Sequence, residues 1–121
     1  MTDARTPALV ALGGALGATA RYAVAESLPA LTSTFVVNVV GCFALGYVLY
    51  AVRLGTVSEK TRVFTATGFV SSFTTYSTFA VDVFVSRPGV AVVYIAASYV
   101  SGFAAVAVGS GIAIYRTEGT A

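Results

Sequence analysis

The stretch GFVSSFTTYSTF, residues 68–79, lies inside the third apolar run of the chain and puts a Ser/Thr cluster and aromatic rings where an uninterrupted membrane helix would continue in Val and Leu. A bilayer core offers no water to free backbone N–H and C=O groups. An interrupted helix at that depth survives only where other protein buries it or where it lines a cavity. The segment is therefore the first candidate for the working part of the molecule, and it predicts a third helix broken near its middle.

The rest of the chain sets the class. Its 121 residues are 57% hydrophobic and only 10% charged, with a mean hydropathy of +0.86. That is too apolar for an ordinary soluble domain and leaves room for about four spans of about 20 residues each. Apolar stretches run over about residues 7–25, 33–52, 63–85 and 89–115. Pro29, the polar link Arg53 to Arg62, and Arg87-Pro88-Gly89 separate them. The expectation is one all-α membrane domain, residues 1–121, of four transmembrane helices in the cell membrane. An alternative reading of Arg5 and Ala18-Thr19-Ala20 as a secretory leader loses force because three further spans follow.

The net charge of +2 comes from short termini and loops rather than from a basic face, so nothing points to nucleic acid. Histidine is absent, which removes the commonest proton shuttle and metal ligand. The single cysteine, Cys42, reads as a small buried filler. With four spans, Arg5, Arg53, Lys60, Arg62 and Arg116 share a side against Arg21 and Arg87. This favours cytoplasmic termini, by a margin that two charge changes would erase.

Within the spans, Gly13 and Gly17, and Ser98 with Gly102 and Gly109, form small-residue faces suited to close helix packing. Asn38 is the one strongly polar side chain of TFVVNVVGCFALG, with Thr34 one turn before it and Gly41 just under one turn after. A midspan amide either bonds a neighbouring helix or serves a permeant species, and chemistry alone leaves both open. Tyr94, Ser98 and Ser101 make a thin polar stripe on the fourth span. In the third, Tyr76 and Phe79 share a helix face, and electron-poor ring edges pointed into a dry path can meet an anion without trapping it. Ser71, Ser72, Thr74 and Thr75 can cap a new helix start, whose free N–H groups suit an anion while the carbonyls that end the preceding half-helix suit a cation.

These motifs together, with GGALGATARY at residues 13–22, resemble the CrcB/Fluc family of fluoride ion channels, and the likeness covers all four spans. The resemblance implies an antiparallel, dual-topology dimer with two fluoride pores and a central sodium ion held by backbone carbonyls at the breaks of both third helices. It places Asn38, Phe79, Tyr94 and Ser98 along the pore beside Thr75, Thr74 at a sodium carbonyl, and Arg21 at the Arg of the first motif. Tyr76 stands at the pore where the first pore Phe is usual, adding a hydroxyl that can engage fluoride or that needs its own partner. Ser71 stands where Gly is usual at the other sodium carbonyl, a departure that a left-handed conformation would make costly. Asp82, where Glu is common, is expected near a vestibule edge.

The function implied is passive fluoride efflux that relieves fluoride toxicity, by a channel and not an enzyme, in membrane lipid. The dimer is expected to be a homodimer, or else a heterodimer with an oppositely charge-biased paralogous chain. A small drug/proton antiporter shares the length and span number but needs an ionisable group within a span, and Glu26 and Asp82 sit near span ends. A noncatalytic assembly subunit would also use the small-residue faces.

Overall fold

The structure, a computed structural model, describes residues 3–119. Three long helices dominate: α1 (Arg5–Ser27), α2 (Ala30–Arg53) and α6 (Pro88–Gly119). Each is long and apolar enough to cross a membrane, with mean hydropathies of 1.4, 2.1 and 1.9. They run one to four residues beyond the expected span limits, because polar flanking residues go on making helical hydrogen bonds until a proline or a turn stops them. Pro29 and Pro88 mark helix starts, where a missing N–H costs nothing.

The third apolar stretch is composite. It opens as α3 (Glu59–Arg62), continues as a π-helix (Val63–Val70) and a single turn α4 (Ser71–Phe73), breaks at Thr74 and Thr75, and resumes as α5 (Tyr76–Val85). The break matches the sequence expectation; the π-helix has no sequence marker. The link before it is tied by local chemistry. Gly55 takes a left-handed φ of +77°, which lets the Thr56 N–H reach back to the Ala51 carbonyl at 2.9 Å and end α2. Ser58 then caps α3 by accepting from the Thr61 N–H at 3.2 Å. In that exposed turn, Arg62 bonds Glu59 and holds its carboxyl below the usual carboxylate range.

Two packing units result. α1 lies on the π-helix and α4, whereas α2 lies along α6, with α5 wedged against both. Glycine sets how close these come. A Cβ on Gly17 would collide with the Phe69 carbonyl group and lie 2.9 Å from its carbon, and one on Gly13 would meet Phe64 O and lie 3.0 Å from Phe69 N. Across the other pair, Gly46 faces the Val106 backbone and Gly109 faces Phe43 and Tyr47. Gly13, Gly17 and Gly109 of the small-residue faces therefore join backbone to backbone where water-driven burial is unavailable, whereas Ser98 and Gly102 line a cavity. The Ser71 hydroxyl donates to the Ala66 carbonyl, five residues back, at 3.1 Å, a reach that suits the widened turns of a π-helix.

Candidate functional site

The break in the third stretch is built by two threonines in extended conformation, Thr74 at φ −82°, ψ 160° and Thr75 at φ −149°, ψ 121°. Each half-helix is closed off by one of them. The Thr74 hydroxyl donates to the Val70 carbonyl at 2.9 Å, and the Thr75 hydroxyl caps α5 by accepting from the Thr78 N–H at 3.2 Å. Of the candidate caps in the sequence, Thr75 is the one that makes this bond.

Asn38, on α2, reaches across to the break with both ends of its amide. Its Oδ1 accepts from the Thr75 N–H at 2.8 Å and its Nδ2 donates to the Thr75 carbonyl at 3.0 Å. The Thr75 N–H is thereby withdrawn from the Ser71 carbonyl, its partner in an unbroken helix. Gly41, one turn along, gives the Thr74 methyl its space: a Cβ there would overlap it. The asparagine is thus a bond between helices, and it is also part of a cavity wall.

That cavity, of about 370 Å³, lies between α2, α5 and α6. Asn38, Thr74, Thr75, Tyr76, Phe79 and Ser98 all line it, and no Asp, Glu, Lys or Arg does. The Ser98 hydroxyl is buried there without a hydrogen-bond partner among the described residues. Phe79, 8% exposed, is its aromatic centre, with ring centroids 5.9 Å from Tyr76, 5.2 Å from Tyr94 and 6.2 Å edge-on from Tyr99. Tyr76 itself is 74% exposed on the rim. The site therefore offers an amide, hydroxyls and ring edges on an uncharged wall, a set that can replace part of an anion's hydration without holding it as a fixed charge would.

Other expected site residues lie elsewhere. Tyr94 and Thr34 are buried behind Phe79 rather than on the cavity wall. The Tyr94 hydroxyl donates to Asp82 Oδ2 at 3.2 Å, with Thr34 beside the same phenol. Asp82, expected near a vestibule edge, is instead buried between α5 and α6 at 7% exposure, because a hydroxyl on the facing helix satisfies its carboxyl. The stripe read on the fourth span divides accordingly: Tyr94 turns to Asp82, Ser98 to the cavity, and Ser101 to neither.

Ser71 is exposed and right-handed helical, φ −59°, so the strain a left-handed serine would carry does not arise. Arg21, half-buried on α1, is outside the cavity, in the unit formed by α1 and the π-helix. Cys42, expected as buried filler, is half-buried on the cavity wall, with Gly102 opposite its sulfur. Tyr99 and Phe103 also line the cavity. Their i, i+4 spacing, one residue past Ser98 and Gly102, was the available signal.

The chain is similar to known proteins over most of its length. The family model described as CrcB-like protein, Camphor Resistance (CrcB), matches residues 8–110. The chain is 46% identical over 110 residues to a protein of Haloarcula marismortui named fluoride-specific ion channel FluC 1, covering 90% of this chain and 86% of that one. It is 45% identical over 116 residues to the FluC 1 of Natronomonas pharaonis, covering 93% and 98%. With the FluC 2 of Rhodococcus jostii it shares 44% over 108 residues, covering 83% and 91%. The matched region takes in all of α2 through α5, the Asn38–Thr75 bonds and the cavity wall, and this multi-pass membrane protein belongs to the CrcB family.

Proposed function

We propose that the chain is a fluoride-selective channel for passive fluoride efflux across the cell membrane, and that it relieves fluoride toxicity. The observation that carries this reading is the uncharged cavity where the Asn38 amide, the Phe79 ring and the Ser98 hydroxyl, unpartnered among the described residues, converge. The fluoride-specific names of relatives that share nearly the whole chain support it. Hydrogen fluoride enters cells by crossing lipid and dissociates in neutral cytoplasm, so a passive anion path suffices to return the trapped ion. Asn38, Thr75, Tyr76, Phe79 and Ser98 would meet the ion, with Tyr94, Thr34 and Asp82 holding the ring cluster from behind.

The third, composite segment serves as a fourth span in this reading, its break held against α2 by the Asn38 bonds. The assembly is an antiparallel, dual-topology homodimer. Tyr76, Tyr99 and Phe103, all exposed beside the cavity, supply the apolar rim that a second copy would cover. A sodium ion at the dimer centre fits the break. The Ser71 carbonyl is relieved of its helical partner by the Asn38 bond, and the Thr74 carbonyl lies in extended backbone. Both are hard oxygen donors of the kind a group I cation takes. Arg21 is outside this machinery.

Purified chain in liposomes loaded with potassium fluoride should release fluoride when valinomycin is added, as read by a fluoride electrode, while chloride-loaded liposomes retain their anion. Equal release of both ions would remove the claim of selectivity. Release of neither, or proton movement driven by an organic cation, would remove the channel.

A further inference from the structure

We infer that Asn38 is a positioning residue as well as a pore donor: its amide clamps the backbone of Thr75 at both ends, and that clamp aims the remaining amide proton into the cavity. The inference rests on the channel reading above. A primary amide has one acceptor oxygen and two N–H donors in a plane. Thr75 presents one donor and one acceptor, and the pair of bonds at 2.8 and 3.0 Å engages both. The orientation of the amide is then set by chemistry, since turning it over would oppose donor to donor and acceptor to acceptor. One Nδ2 proton is spent on the Thr75 carbonyl. The other has no partner among the described residues, on a side chain that lines the cavity. The same two bonds hold Thr75 extended and so keep α5 capped at Thr75. One side chain thus fixes both the break and the direction of the donor beside it.

The test replaces Thr75 in the full chain by its α-hydroxy analogue, which turns the Thr75 N–H into an ester oxygen and leaves every side chain in place. Fluoride release from liposomes should fall about tenfold, the scale of one buried hydrogen bond lost with its acceptor left unpaired. The same ester at Ala104, exposed on α6 outside the cavity, should leave release unchanged. Parent-like release by the Thr75 ester, or equal losses at both positions, overturns the inference.

An ester also weakens the Thr74 carbonyl, so a second measurement isolates the clamp. The ester should lower the melting temperature of the parent protein in detergent, and not that of Asn38→Ala, where the partner oxygen is already gone. An equal drop in both backgrounds would assign the effect to the Thr74 carbonyl and sink the clamp. A parent chain that releases no fluoride sinks the channel reading instead, and the melting comparison still decides the clamp.

Discussion

At the scale of single residues, the cavity wall has distinct parts that substitution can separate. Asn38→Asp keeps an acceptor for the Thr75 N–H but sets a second, charged oxygen against the Thr75 carbonyl and in the proposed anion path. One uncompensated charge in such a site costs about 3 kcal/mol, so fluoride flux should fall about a hundredfold. Phe79→Ile removes ring contacts to three tyrosines and the electron-poor edge itself. A loss of about tenfold is expected on the scale of aromatic pair energies. Tyr76→Phe keeps the ring and deletes a hydroxyl from a side chain that is 74% exposed, so flux should equal or exceed that of the parent. Each variant is compared only where gel filtration gives the parent's elution. Parent-like flux in both Asn38→Asp and Phe79→Ile would reduce this wall to packing. The sequence marked Asn38 as chemically distinctive but left its two roles open, since no local pattern says that a backbone break 37 residues away stands opposite residue 38.

At the scale of elements, glycine position matters more than glycine content. Gly17 lets α1 approach the Phe69 carbonyl, as Gly13 lets it approach Phe64, and a Cβ on Gly17 would push α1 off the π-helix. Gly17→Ala should therefore lower stability in detergent by about 1–3 kcal/mol, the usual cost of overpacking. Gly111 lies on α6 with open space where its Cβ would stand. Gly111→Ala should raise stability by up to about 1 kcal/mol through helix propensity alone. Thermal unfolding of the two variants beside the parent would show opposite shifts. Shifts of the same sign would mean that the α1 contact is loose. The small-residue spacing was legible because it repeats at a helical period. The partner of each face was not, and neither was the π-helix, whose widened turns answer to what packs on them.

At the scale of the whole molecule, charge placement bears on orientation and assembly. Five Lys/Arg residues against two, with Arg21 and Arg53 near helix ends, is a bias small enough for one chain to insert both ways. Cysteines placed singly at the termini of a Cys42→Ser chain should label from both sides of intact cells. One-sided labelling, with fluoride release only after a second chain is supplied, would replace the proposed homodimer by a heterodimer. The exposed rim of Tyr76, Tyr99 and Phe103 belongs to this scale too, because a surface of that kind beside an uncharged, mostly apolar cavity is completed by another chain or by lipid.

Composition and span spacing by themselves determined that this is an all-helical membrane protein, and the hydroxyl-rich run at residues 68–79 determined where its third segment breaks. Both are local matters, set by transfer of side chains from water and by backbone groups that need partners nearby. Tertiary structure alone decided which hydroxyls face the cavity. It sent Ser98 into the open wall and Tyr94 back to Asp82, though the two are four residues apart on one helix. It buried Asp82, which the sequence placed at an edge, and it joined Asn38 to Thr75. The reason is that helical period gives each residue a direction, while the neighbour found in that direction depends on how α2, α5 and α6 close on one another.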